Sequence, residues 1–176
     1  MAITFLLGGA RSGKSSLAVE LGRRHDGPVV FVATCAPLDE DLAARIARHQ
    51  AERPDWATIE EPVALATAMG KVDDGAFVVV DCLTLWVSNL MLRGDSDERV
   101  EAAADEFVAV TRARSGRAVI VSNEVGSGIH PEAALARRYR DLLGRVNQVV
   151  AAAADTTLLV AAGRALRLDD PWVVLR

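Results

Sequence analysis

Short runs of β-branched and aliphatic residues alternate along the chain with longer stretches whose apolar positions recur every three or four residues. The runs are Ile3 to Leu7, Val29 to Ala33, Phe77 to Val80, Ala118 to Ser122 and Thr156 to Val160. They are near-continuously apolar, as strands covered on both faces of a parallel sheet must be. Trp172 to Leu175 reads as a last strand and Thr58-Ile59-Glu60 as a short edge piece. Helical patterns run from Ser15 to Arg24, Asp39 to Arg53, Pro62 to Met69, Leu83 to Arg93, Asp97 to Arg114 and Pro131 to Ala154. In the last of these, Leu142, Leu143, Val146, Val149 and Val150 form a core-facing stripe, and Gly144 marks a place where the helix is expected to break. This alternation predicts an α/β fold, a mostly parallel sheet flanked by helices. No repeat, linker or low-complexity tract interrupts it, so one catalytic domain over residues 1–176 is expected.

The first strand runs straight into Gly8-Gly9-Ala10-Arg11-Ser12-Gly13-Lys14-Ser15, which matches G-x-x-x-x-G-K-S and is followed by a helix. Glycines let backbone N–H groups turn inward onto phosphate oxygens, and the helix that follows presents its positive end to them. Lys14 is placed to reach the terminal phosphates, and the Ser15 hydroxyl suits Mg²⁺. The pattern predicts a P-loop nucleotide-binding domain.

Composition narrows the class. A chain that is 51% hydrophobic and 25% charged is an ordinary globular one, and a net charge of −4 without a basic stripe argues against a nucleic-acid partner. Lys14 and Lys71 are the only lysines. No apolar run reaches the ~18 residues of a membrane span, and the first residues carry no basic flank or cleavage pattern. A cytoplasmic protein is expected. Cys35 and Cys82 have no metal-binding spacing and read as small buried residues at strand ends.

Parallel strands bring their C-terminal ends to one edge, so Thr34, Asp81 and Asn123 are expected beside the phosphate loop. Asp81 ends an apolar strand, where a carboxylate can hold Mg²⁺ with Ser15 or cap the next helix. His25 reads as solvated surface. His49 continues the inward stripe of Leu42 and Ile46, with Arg45 and Arg53 four residues to either side. Two guanidiniums there would keep the imidazole neutral and steady a phosphate, which suits a nucleophile; a satisfied core-edge histidine fits the same spacing. A second glycine-bearing loop, Asn123 to Ile129, either admits a bulky ligand or turns the chain, and His130 follows it before Pro131 at a helix start. Arg137, Arg138, Arg140 and Arg145 follow, at least some of them as solvated charge.

Gly8 to Ser15, Ala33-Thr34, Ala44-Arg45-Ile46 leading to His49, Arg53-Pro54, Asn123-Glu124-Val125-Gly126 and Gly144-Arg145-Val146-Asn147-Gln148 together resemble the bifunctional adenosylcobinamide kinase/adenosylcobinamide-phosphate guanylyltransferase family of cobalamin biosynthesis. The resemblance extends in order from about Ile3 to Gly163. It implies phosphorylation of adenosylcobinamide, a corrinoid, by ATP or GTP, then transfer of GMP from GTP through a guanylylated histidine, with release of pyrophosphate. The position matching that nucleophile is His49. The implied nucleotide contacts are Gly8, Gly9, Ala10, Arg11, Ser12, Gly13, Lys14, Ser15, Ala33, Thr34, Cys35, Gln50, Ala51, Glu52, Arg53, Glu61 and Asp81. The resemblance further implies a RecA-like sheet and a homotrimer. Asp81 stands where some members carry glutamate, and Gly163 to Arg167 match the family's ending only loosely.

Two other functions fit the phosphate loop alone. A monofunctional small-molecule kinase makes His49 dispensable, and a RecA-like switch module binds nucleotide without turning over a corrinoid.

Overall fold

The computed structural model describes residues 2–35 and 55–175. Its strands are β1 (Ile3–Leu7), β2 (Val29–Ala33), β3 (Ala57–Glu60), β4 (Phe77–Asp81), β5 (Ala118–Val121), β6 (Thr156–Ala161) and β7 (Arg164–Leu168). Its helices are α1 (Lys14–Arg23), α2 (Leu65–Gly70), α3 (Leu83–Arg93), α4 (Asp97–Ala113), α5 (Ala134–Ala153) and the single turn α6 (Pro171–Val174). The expected helix from Asp39 to Arg53 lies outside the described residues.

The described strands form one sheet in the order β3-β2-β4-β5-β1-β6-β7. Every pairing is parallel except β6 with β7. The mostly parallel sheet flanked by helices that the apolar runs predict is therefore present. Alternation sorts each strand's side chains onto two faces. Ile3, Phe5, Leu7, Val78, Val80, Ala118 and Ile120 join α2, α3, α4 and α5 in the larger core. Leu6, Phe31, Phe77, Val79, Val119 and Val121 face the other way, toward Ala18 of α1. Removing a side chain of this size from water stabilises the fold by roughly 1.5–3 kcal/mol, so the central strands are its most rigid part.

Two expectations are corrected. Trp172 to Leu175 is not a strand. Pro171 opens α6 and the Asp170 carboxylate accepts from the Trp172 N–H at 2.8 Å, a capped start that outweighs the β-preference of Trp-Val-Val. The last strand is instead β7, which returns antiparallel along β6 through a tight turn with positive φ at Ala162 (50°) and Gly163 (70°). Finally, α5 runs unbroken through Gly144. A mid-helix glycine costs about 1 kcal/mol, less than burial of Leu142, Leu143, Val146 and Val150 on the same helix returns.

Candidate active site

β1 ends at the phosphate loop, and α1 begins at Lys14 directly after Gly13, whose φ of 101° only glycine adopts without strain. Gly8 is required more strictly. Its φ is 150°, and a Cβ there would lie 2.1 Å from the Val160 carbonyl oxygen of β6. The loop is braced from two sides. Glu124 N–H donates to Gly8 O at 3.1 Å, and Gly163 N–H, from the β6–β7 turn, donates to Ser12 O at 2.9 Å. Lys14 is buried, with its ammonium donating to Gly8 O at 2.9 Å, Gly9 O at 2.7 Å and Ser12 Oγ at 3.3 Å. The cation is thereby held over the hollow of the loop. Ser15, half-buried, follows it in the first turn of α1.

The register sets the neighbouring strand ends. Ala33 pairs with Asp81, Asp81 with Val121, and Val121 with Leu6. Thr34, Asp81 and Asn123 therefore share one sheet edge with the phosphate loop, as expected. Strand β5 stands between β4 and β1, so Asp81 lies two inter-strand spacings, about 10 Å, to the side of β1.

Behind this edge lies a layer of hydrogen-bonded polar groups. Thr34 Oγ1 donates to Cys82 O at 2.7 Å and accepts from Cys82 N–H at 2.9 Å, while Thr34 N–H donates to Asp81 O at 3.2 Å. From α3, Asn89 Nδ2 donates to Thr34 O at 2.8 Å and to Pro62 O at 3.0 Å. Asn123 N–H donates to Thr84 Oγ1 at 2.9 Å, and its carbonyl accepts from Asn147 Nδ2 at 3.0 Å. Tyr139 O–H donates to Thr84 O at 3.1 Å. Burial pushes the Cys82 thiol up to about 12, helped by the adjacent Asp81 carboxylate, and pushes the Tyr139 phenol up to about 12 as well. Both groups are therefore neutral near pH 7 and act as packing and hydrogen-bonding partners.

Other residues singled out in the sequence are placed as follows. Cys35 and Cys82 are not disulfide-bonded; both are half-buried just past the ends of β2 and β4, and Cys82 packs against the smaller core. Glu61 Oε1 accepts from the N–H groups of Val63 at 3.1 Å and Ala64 at 2.8 Å, so that oxygen closes the turn into α2, while Glu60 is exposed on edge strand β3. His25 is not simply solvated, since its ring lies 5.2 Å from that of Phe77. His130 is exposed and shares a 2.9 Å hydrogen bond with Arg140. His49, its flanking Arg45, and Gln50, Ala51, Glu52 and Arg53 lie outside the described residues. The brace from Gly163 and the bonds from Asn89 were not read from the sequence. Gly163, closing the apolar run that ends at Ala161, is a turn signal for the hairpin; for Asn89, half-buried in a helix, there is none.

Among the described residues no three His, Cys, Asp or Glu side chains cluster to hold a metal ion. A Ser15 hydroxyl and one Asp81 carboxylate are a donor set that fits Mg²⁺ nonetheless. That ion prefers oxygen ligands, keeps several waters and takes its remaining ligands from substrate phosphates.

A strand, a glycine loop, a lysine folded over it and an α1 N-terminus at the edge of a parallel sheet define a P-loop nucleotide-binding enzyme. An ATPase of a type III secretion system superposes with a TM-score of 0.62 at 10% identity, over 94% of this chain and 56% of that one. The RadB recombinase superposes at 0.50 and 16% identity, over 90% and 73%. These likenesses establish a RecA-like fold. Residues 4–168 match the family described as cobinamide kinase / cobinamide phosphate guanyltransferase, and the chain belongs to that family. It is 40% identical over 160 residues to the bifunctional adenosylcobalamin biosynthesis protein CobP of Pseudomonas aeruginosa, covering 90% of this chain and 92% of that one. It is 40% identical over 178 residues to the bifunctional adenosylcobalamin biosynthesis protein CobU of Salmonella typhimurium, covering 92% and 96%. No helix among the described residues is long and apolar enough to cross a membrane.

Proposed function

We propose that the chain carries out two successive transfers on one corrinoid substrate, each using a nucleoside triphosphate held in the loop from Gly8 to Ser15. In the first, ATP or GTP gives its γ-phosphoryl group to the aminopropanol hydroxyl of adenosylcobinamide. The new O–P bond forms as the bond to the β-bridging oxygen breaks, the hydroxyl proton is lost, and the nucleoside diphosphate leaves. In the second, a neutral imidazole nitrogen of His49 attacks the α-phosphorus of GTP and pyrophosphate departs. A phosphate oxygen of adenosylcobinamide phosphate then displaces the imidazole and takes the GMP, giving adenosylcobinamide-GDP and freeing His49.

The observation that carries this reading is the ammonium of Lys14, lodged on the carbonyls of Gly8 and Gly9 where it meets the phosphates of a bound nucleotide. Magnesium arriving with the nucleotide would neutralise phosphate charge, with Ser15 and Asp81 as its holders. Ala33 and Cys35 flank the nucleotide at the end of β2, Gln50, Ala51, Glu52 and Arg53 are further contacts to it, and Glu61 serves it through the carboxylate oxygen not used in capping α2. Arg45 and Arg53 favour the unprotonated imidazole.

The test is incubation with α-labelled GTP, then acid and base treatment of the denatured protein. An acid-labile, base-stable label on the protein is the expected result. Complete absence of label during active turnover to adenosylcobinamide-GDP would sink the covalent route.

We also assign the enzyme to the cytoplasm, where its triphosphates are found, and to a homotrimer. Leu166, Trp172, Val173, Val174 and Leu175 are each more than 60% exposed, an apolar run that contact between copies would cover. Light scattering of the purified chain measures the assembly.

A further inference from the structure

We infer that Thr34 is a positioning residue for Asp81 and makes no contact of its own with the nucleotide. All its polar groups are already committed. A threonine hydroxyl has one proton and two lone pairs. Here the proton goes to Cys82 O at 2.7 Å and a lone pair takes the Cys82 N–H at 2.9 Å. The backbone N–H donates to Asp81 O at 3.2 Å, and the carbonyl accepts from Asn89 Nδ2 at 2.8 Å. The residue is 0% exposed, so no surface remains to meet a ligand.

The position of these bonds matters more than their number. The ladder between β2 and β4 ends at the pair Ala33 and Asp81. Beyond its last rung a strand is free to fray and to swing its terminal side chain. Thr34 continues the pairing by one residue with its side chain, gripping Cys82 on both backbone groups and Asp81 on its carbonyl. Asn89 holds Thr34 in turn and ties it to Pro62, so α3 and the β3–α2 connection stiffen the same point. The aim of the Asp81 carboxylate is thus set by the residue just past the end of β2. A group that orients a ligand to an ion affects ion affinity nearly as strongly as the ligand does.

This inference rests on Asp81 serving the nucleotide-bound magnesium, and the experiment separates the two. The full chain and its variants Thr34→Val, Thr34→Ser, Asp81→Asn and Thr34→Val with Asp81→Asn are titrated with a fluorescent GTP analogue, in Mg²⁺ and in EDTA. The ratio of the two Kd values measures how far magnesium tightens binding. Thr34→Val is expected to leave the Kd in EDTA within about two-fold of the parent and to lower the magnesium enhancement about ten-fold. Thr34→Ser keeps the hydroxyl and is expected to stay within about two-fold in both conditions. In the Asp81→Asn background, Thr34→Val should add nothing. Equal weakening by Thr34→Val with and without magnesium would make Thr34 a direct nucleotide contact and overturn the inference. An independent effect in the double variant would overturn it too, as would an unchanged enhancement in Thr34→Val beside a lost one in Asp81→Asn. Unchanged enhancement in Asp81→Asn would instead remove Asp81 from the metal and the inference with it. Should Thr34→Val fail to fold by thermal melting, Asn89→Ala takes its place. It should lower the enhancement about three-fold, and a loss seen equally in EDTA would count against the inference.

Discussion

The ammonium of Lys14 donates to the carbonyl of Gly8 at 2.9 Å, closing a ring from the helix start back to the strand end. The charge is therefore in place before any phosphate arrives, and binding requires no search for it. If both transfers use this one cradle, Lys14→Ala should reduce both kcat/KM values about a thousand-fold or more. Kinase and guanylyl activities measured on the same preparation check this. Guanylyl transfer at the parental rate would reveal a second nucleotide site.

Gly8 and Gly9 are adjacent in sequence and opposite in tolerance. A Cβ on Gly8 would lie 2.1 Å from Val160 O at a φ of 150°, whereas a Cβ on Gly9 meets nothing within 4 Å. Gly8→Ala should displace the loop from β6, costing about 2 kcal/mol of stability and at least about ten-fold in nucleotide affinity. Gly9→Ala should leave stability within about 0.5 kcal/mol. Denaturant melts and nucleotide titrations of the pair decide it. Equal behaviour would show that the loop relaxes around either methyl group.

His49 separates the two chemistries. Attack on the α-phosphorus needs a neutral imidazole, while γ-phosphoryl transfer needs only an activated substrate hydroxyl. His49→Ala should abolish covalent labelling by α-labelled GTP and retain part of the phosphorylation of adenosylcobinamide. Arg45→Ala and Arg53→Ala should slow labelling without abolishing it. Labelling of His49→Ala at the parental rate would move the search for the nucleophile, first to His130.

Arg114 stabilises a part of the fold far from these reactions. Its buried guanidinium donates to the carbonyls of Met69 at 3.1 Å, Val72 at 2.7 Å, Asp73 at 2.7 Å and Ala76 at 3.2 Å, closing the end of α2 and the turn into β4. Burial lowers its pKa, opposed by the nearby Asp74 and Asp73 carboxylates; an arginine guanidinium is not deprotonated in proteins, so the bonds are charge-assisted. Arg114→Leu strands these carbonyls and should cost about 3 kcal/mol in denaturant unfolding. Because the turn lies at the opposite end of β4 from Asp81, kcat of the folded fraction should not change. A loss of kcat without a loss of stability would contradict this division.

The sequence by itself determined the elements whose signal is local. The apolar runs that became β1, β2, β4 and β5 are continuous because both faces of those strands are covered, and that burial is written residue by residue. The phosphate loop was legible for a similar reason. Gly8, Gly13 and Lys14 act within one turn of chain, so their spacing is their geometry. Parallel pairing then sufficed to bring Thr34, Asp81 and Asn123 to the loop's edge.

The tertiary structure alone decided what depends on partners distant in sequence. The unbroken course of α5 past Gly144 reflects burial of a stripe against the sheet, which overrides local propensity. Two features at the end of the chain are local but masked by β-preference: the β6–β7 hairpin turns through Ala162-Gly163 rather than an Asn-Gly pair, and Asp170-Pro171 caps α6. Most telling is Thr34. Its type and its place at a strand end fit a nucleotide contact equally well. Only the approach of Cys82, 48 residues away, and Asn89, 55 residues away, shows that its hydroxyl and carbonyl are already spent. A hydrogen bond has a direction and a length of about 3 Å, and neither is encoded in the order of residues until the strands have paired.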